Sequence, residues 1–379
     1  NSSDQVMQTY TPTQLPVLNG LGGDFAISDE GFCSLSARTG ANRGFVLTGS
    51  SMGEANNFMT PPQYIYWPEQ PHRPSVFKLL WCNGITDWRI YNSTVWQQHV
   101  FTYQLFLEGQ IPTVDAAMTA GGGSTSSWVE PVANFYTDAL AGNLPQFSFI
   151  EPVWIGGTGT TSYHPGADLV LGARQLNQVY ESIAKGPGWE NTMLVITFDE
   201  HGGIFDHVPP PYAERPWPHD VNDGFHYDLL GPRVPTIVVS PFIEPKTVFR
   251  STTPVAYDGT SFLATLLHWC GIPKERWYMG DHTHHAPTFE GVLTRSTPRT
   301  DSPRYTPPYD NNYPPSGPEK PRQTVTHLAE IVAHAIIVSA TRGKLSPQEV
   351  RELSHDVLTN SKTMAVLERR LDEIVTAFA

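Results

Sequence analysis

The run TMLVITFDEHGGIFDHVPPP, residues 192–211, constrains this chain more than any other segment. Its first seven residues, Thr192 to Phe198, are apolar or β-branched almost without interruption, which predicts a strand covered on both faces, as in a parallel α/β sheet. Such a strand delivers Asp199, Glu200 and His201 at its C-terminal end, and Gly202-Gly203 lets the backbone turn tightly before a second pair, Asp206-His207. Open α/β sheets bind their ligands at that edge. Carboxylate oxygens suit a hard divalent cation, while histidines supply further ligands or acid–base groups. Two carboxylates alone would read as a solvated turn; joined to two histidines and two glycines at a strand end, they read as a site.

The rest of the chain fits an α/β protein. Val234 to Ser240 (VPTIVVS) is a second buried strand, and Leu169, Leu176, Val179 and Ile183 mark one face of a helix over 168–185. Thr260 to Cys270 reads as another helix, with Asp258 as its N-cap and Gly271 as its stop. Eight prolines between Pro298 and Pro321 exclude a helix or central strand there. The expected organisation is a domain over 1–297, a proline-rich linker or arm over 298–322, and a helical extension over 323–379, where Ser346-Pro347-Gln348-Glu349 forms a capping box. That extension is expected to make subunit or inter-domain contacts. Gly121 to Ser127 is loop-like on composition.

Charge and composition exclude several functions. With 24 Lys and Arg against 37 Asp and Glu, the net charge is −13, and no clustered basic surface for nucleic acid is expected. No stretch of apolar residues is long enough for a membrane span. The three cysteines allow at most one disulfide, and the first residues carry no leader-like apolar segment, so any targeting peptide is expected to have been removed or never to have existed.

Other residues could carry chemistry. In Ser36 to Arg43 a hydroxyl (Thr39), an amide (Asn42) and guanidinium groups fall within a few positions, so that Thr39 could serve as a nucleophile and Arg43 as a fork for phosphate oxygens. His164-Pro165 precedes the 168–185 helix, and Glu151 ends the apolar run Phe147 to Ile150; each alone is more often a turn or capping device than a catalytic group. Gly49-Ser50-Ser51-Met52-Gly53 matches the nucleophile elbow of α/β-hydrolases, but Pro61-Pro62 leaves little room for the helix that motif requires. Asp281 to His285 reads as an incidental, solvated histidine cluster.

Taken in order, QLPVLNGLGGDFAISDEGF, Thr39 with Asn42-Arg43, Trp88 to Tyr91, LPQFSFIEP, His164-Pro165, LVITFDEHGGIFDHVPPP, GPRVPTIVVSPFIEP, Tyr257-Asp258 to Ser261 and APTFEGVL resemble the bacterial phosphoesterase family, which includes non-haemolytic phospholipases C and secreted acid phosphatases. The resemblance runs over residues 10–296. It implies an alkaline-phosphatase-like α/β/α sandwich with a mainly parallel sheet, and a metal-dependent phosphoric ester hydrolase of phospholipase C or acid phosphatase type, secreted or periplasmic. The family's nucleophile position falls on Thr39, its metal ligands on Asp199 and Glu200, and its site histidines on His164, His201 and His207, with Asn42 and Arg43 beside the substrate. The expected substrate is a phosphoester, including a phospholipid headgroup. Two departures accompany this. The chain begins after the family's usual upstream ENRSFDHYFG-like element, so a second chain or another copy is expected to supply that strand, and the family's Asp-His-Thr-Ser stands here as Asp258-Gly259-Thr260-Ser261. Both departures also fit an alternative, a catalytically inactive relative with a structural or binding role.

Overall fold

The computed structural model describes residues 5–55, 73–93, 101–121, 126–154, 160–165, 169–218, 220, 224–307, 327–341 and 343–378. Of the expected proline-rich arm over 298–322, residues 308–322 lie outside them, as do 323–326 and the centre of the glycine-serine loop, 122–125. In chain order the helices are α1 (Pro16–Asp24), α2 (Thr39–Thr48), α3 (Val76–Cys82), α4 (Phe101–Phe106), α5 (Pro112–Ala120), α6 (Val132–Ala141), α7 (Leu169–Lys185), α8 (Gly259–Trp269), α9 (Gly280–His285), α10 (His327–Thr341), α11 (Pro347–Asn360) and α12 (Met364–Phe378). The strands are β1 (Ala26–Ser28), β2 (Trp88–Asn92), β3 (Val129–Pro131), β4 (Phe147–Glu151), β5 (Leu194–Thr197), β6 (Thr236–Val239) and β7 (Thr247–Phe249).

Among the described residues the strands form two sheets, β3-β2-β4 and β5-β6-β1-β7. The first is wholly parallel. In the second, β1 and β7 are parallel, whereas β6 runs antiparallel to both β5 and β1, with Thr236 opposite both Thr197 and Ser28. The fold is therefore mixed α/β with parallel strands predominating. That reversal of β6 matters, because it brings the residues just before β6 to the same edge as the residues just after β5 and β1.

Helices cover both faces of these sheets. Phe135 of α6, Val179 and Ile183 of α7 and Leu21 of α1 share a core with Ile237, Val238 and Val239. On the other side, Phe77 of α3, Leu263 and Leu267 of α8 and the C-terminal helices share a core with Trp88, Ile90 and Phe147. β6 is buried along its length, as its apolar sequence requires, but β5 is only partly covered because it is an edge strand.

Local signals in the sequence hold where they were strongest. Asp258 caps α8 in a box with Ser261, and Ser346 caps α11 in a box with Glu349, each side chain satisfying an otherwise orphan backbone N–H. The G-x-S-x-G segment has a different use: Gly49, at φ 74°, ends α2 in the left-handed conformation, and Ser51 is fully buried. α10 packs on α4, α11 and α12, so Ala333, Ile336 and Ile337 lie in one core with Phe101 and Phe106. No helix among the described residues is long and apolar enough to cross a membrane. Cys33, Cys82 and Cys270 are all free thiols.

Candidate active site

α2 begins at Thr39. Its N-cap, Arg38, has extended backbone and makes no side-chain capping bond. Asn42 makes that start possible. Its Oδ1 accepts from the Leu35 N–H at 2.9 Å, and its Nδ2 donates to the carbonyls of Leu35, Ala37 and Arg38, which curls the 35–38 loop onto the helix. This corrects the expectation that Asn42 faces substrate: its amide is engaged with the loop, and it is 1% exposed.

Thr39 opens onto a cleft of about 1100 Å³ that His164, Asp199, Glu200 and His201 also line. β5 ends at Thr197 and releases Asp199 and Glu200 at the sheet edge. Gly202 and Gly203 follow at φ 67° and 74°, values that side chains rarely adopt, and they turn the chain back. The Glu200 carboxylate accepts from the Gly202 N–H at 2.6 Å. Burial, and then the neighbouring charge of Asp199, push the Glu200 carboxyl above its ordinary range. Burial lowers the His201 imidazole, which favours its neutral form. In Asp199, Oδ1 accepts from the Glu200 N–H at 3.1 Å, while Oδ2 is buried without a hydrogen-bond partner.

Arg43, one turn along α2 from Thr39, approaches that free oxygen with its Nε at 3.7 Å. Its guanidinium lies over the Trp154 ring, 4.3 Å from the centroid. Burial lowers the Arg43 pKa, against the opposing charges of Asp199 and Glu151. Glu151 itself is fully buried and accepts from the N–H groups of Phe101 and Thr102 at 2.8 and 2.7 Å, so it caps α4 while countering Arg43. The capping role is the one its position after an apolar run suggested.

His164 reaches the cleft from a strained turn. Tyr163 precedes it with φ 62°, its ring edge-on to Phe198 and against Gly172 of α7. The His164 Nδ1 donates to the Pro165 carbonyl at 2.9 Å, which leaves Nε2 with its lone pair. His207 differs from expectation: it is outside the cleft lining, with its side chain 81% exposed beside Asp206. The reason is Asp206, which Arg233 grips with two bonds of 2.8 and 2.9 Å. That pairing holds the Asp206 carboxyl far below the usual range and turns the next residue outward. Arg233 also donates to the Asp29 carbonyl, tying the 199–208 loop to β1. Neither Arg233 nor Trp154 carries a local sequence signal; only the reversed β6 and the close of β4 bring them in.

The histidine cluster is not uniformly solvated. His285 is exposed and pairs with Glu214, but His282 is 2% exposed, its Nε2 3.2 Å from the Asp258 carboxylate. Burial would raise the Asp258 carboxyl, yet His282 and Thr260 hold it below the ordinary value. Among the described residues no group of three or more His, Cys, Asp or Glu side chains is arranged to hold a metal ion. Asp199 and Glu200 are the adjacent carboxylates of the cleft, and the Asp199 Oδ2, buried without a hydrogen bond, has the Arg43 Nε as its nearest cation at 3.7 Å.

The fold and the cleft define an α/β protein whose hydroxyl, carboxylates and imidazoles meet at a sheet edge, where this architecture binds ligands. Within that class the chain belongs to the Phosphoesterase family, which residues 1–273 match. It is 32% identical over 319 residues to non-specific phospholipase C6 of Arabidopsis thaliana, covering 80% of this chain and 56% of that protein. It is 30% identical over 298 residues to the non-hemolytic phospholipase C of Pseudomonas aeruginosa, covering 68% of this chain and 40% of that one. The chain thus spans about half the length of these curated relatives. Among solved structures it is similar to the lipoteichoic acid synthase LtaP from Listeria monocytogenes, with 12% identity, a TM-score of 0.41 and coverage of 72% of this chain and 70% of that one.

Proposed function

We propose that this protein hydrolyses phosphoric esters, in the manner of a phospholipase C, through Thr39. The observation that carries the reading is that Thr39, at the start of α2, lines one cleft with Asp199, Glu200 and His164. The Thr39 oxygen attacks phosphorus as its proton passes to the neutral His201 imidazole, which lines the same cleft, and the bond to the alcohol breaks. His164 in its protonated form gives a proton through Nε2 to the departing oxygen; water then attacks the phosphothreonine, giving its proton to His164, while His201 returns one to the Thr39 oxygen. The positive end of the α2 dipole faces the charge that accumulates on the transferring group, while Arg43, which does not line the cleft, holds Asp199 in place. Asp199 and Glu200 would hold a divalent cation, which supplies Lewis-acid stabilisation of that charge and lowers the pKa of the attacking hydroxyl.

The relatives named as phospholipases C support a phospholipid headgroup ester as substrate, and the resemblance to secreted phosphatases supports an extracytoplasmic location. A second reading, a chain without activity of its own, is favoured by the acidic pair standing without a third ligand among the described residues. Assays with nitrophenyl phosphocholine and nitrophenyl phosphate separate these readings. Hydrolysis that Thr39→Ala reduces by at least about 10³-fold, with an unchanged circular dichroism spectrum, supports the enzyme. No turnover of either ester, with no bound metal by elemental analysis, supports the inactive relative.

A further inference from the structure

Five large apolar side chains stand exposed at the mouth of the cleft: Val6, Met7, Tyr10, Ile204 and Phe205. Four of them also line the cleft, and Met7, 63% exposed, lies between Val6 and Gln8, which do. The two segments that carry them are joined, because the Phe205 N–H donates to the Val6 carbonyl at 2.9 Å. The second segment is a closed turn: the Ile204 N–H donates to the His201 carbonyl at 3.2 Å, and Gly202 and Gly203 take the positive φ that brings the chain round. Ile204 and Phe205 thus sit at the tip of a turn that starts from the Asp199-Glu200 pair. Apolar groups held in water this way cost free energy that burial against a partner recovers.

The apolar surface continues inward, where Leu18, Ile27 and Val234 line the same cleft behind the rim. An ester dissolved in water needs no such rim, whereas one held in a lipid layer reaches Thr39 only when the mouth is pressed against that layer. Charge selects the kind of layer. Residues 5–15 and 198–211 contain no Lys or Arg, and the whole chain carries a net charge of −13. Behind the rim the cleft is lined by Asp29, Asp199, Glu200 and Asp206, against the guanidinium of Arg233. This distribution repels an anionic surface and suits a zwitterionic one, whose outermost groups are cationic.

We propose that the rim formed by Val6, Met7, Tyr10, Ile204 and Phe205 docks the protein on a zwitterionic lipid surface, with the mouth of the cleft turned to the headgroups. The docking rests on the reading of the cleft as one that takes a phospholipid headgroup ester. The aliphatic side chains and Phe205 enter the boundary between headgroups and acyl chains, and Tyr10 keeps its hydroxyl on the wet side. The bond between Phe205 and Val6 keeps two backbone polar groups satisfied as water leaves.

Flotation with phosphatidylcholine vesicles in about 0.1 M salt tests the docking, with Thr39→Ala as the background so that no lipid is consumed. Phe205→Ser and Met7→Ser should each weaken binding about tenfold, and Phe205→Leu should retain it. Trp269→Ser, which removes an exposed side chain at the C-terminal end of α8, should leave binding unchanged. Vesicles made mainly of phosphatidylserine should bind less protein. The substituted side chains face solvent, so melting temperatures should stay at the parent value. Absence of binding to phosphatidylcholine, equal binding by Phe205→Ser and Met7→Ser, or a preference for phosphatidylserine overturns the proposal. So does a dimer in light scattering that Phe205→Ser dissociates while vesicle binding is unchanged, since the rim then faces a second copy. Hydrolysis of nitrophenyl phosphocholine in free solution judges the catalytic reading separately. Vesicle binding through the rim without that hydrolysis supports the docking and removes the catalytic step, and hydrolysis without vesicle binding does the reverse.

Discussion

Tyr163 shows how a single strained residue can place a reactive one. A non-glycine side chain at φ 62° costs about 1–2 kcal/mol, which the packing of the Tyr163 ring against Phe198 and Gly172 offsets. A Cβ on Gly172 would lie 2.3 Å from that ring and 3.0 Å from the Thr161 carbonyl. Gly172→Ala should therefore lower stability by about 1–3 kcal/mol, read by denaturant unfolding, and reduce turnover by shifting His164. Asp206 makes a second prediction. Arg233 depresses its folded pKa, so the pairing stabilises the protein fully above the unfolded value of about 4 and is lost as pH falls through the lower folded value. Asp206→Asn should cost about 2 kcal/mol near neutrality. The gap between variant and wild type should narrow in acid titrations below about pH 4.

α10 illustrates what an amphipathic helix gains from its neighbours. Val332, Ala333, Ile336 and Ile337 are buried by α4, α11 and α12, and the interruption in this apolar run, His334, is buried with them. Burial lowers the His334 pKa to about 4. In the unfolded chain it takes up a proton from about pH 6.5 downward, whereas the folded chain resists until about 4. Stability therefore falls across that window. His334→Leu should flatten the dependence by up to about 1.4 kcal/mol per pH unit, measured as urea midpoints between pH 7 and about 4.5. β5 offers the contrasting lesson. Its sequence signals a strand covered on both faces, and the strand forms, but periodicity reports only that apolar groups must be covered and not which neighbour covers them.

For the molecule as a whole, the C-terminal helices are part of the covering of the small sheet. Ala329, Val332 and Leu367 share a core with Phe77, Trp88 and Phe106. A chain ending at residue 326 would expose that core, and large apolar surfaces of this kind drive association. Such a truncation should lose its cooperative melting transition and aggregate in size-exclusion chromatography. A monomeric product with an unchanged melting temperature would show instead that α10 to α12 fold separately. The cleft also draws on distant parts of the chain: β1 and α2 come early, His164 and the residues that follow β5 from the middle, and Arg233 from the approach to β6.

Much of this was legible in order along the chain. The apolar β6, the helix α7, the caps at Asp258 and Ser346, and a carboxylate pair at a strand end all depend on residues within a few positions of one another, so local backbone hydrogen bonding and side-chain periodicity determine them. Folding in three dimensions settled the direction of β6, the grip of Arg233 on Asp206, the outward turn of His207, the use of Asn42 as a loop brace and the pairing of His282 with Asp258. These rest on contacts between residues far apart in sequence. An arginine or histidine has the same local sequence whether it meets a buried carboxylate or water, so no spacing announces the partner, and the choice falls to the packing that removes water from both.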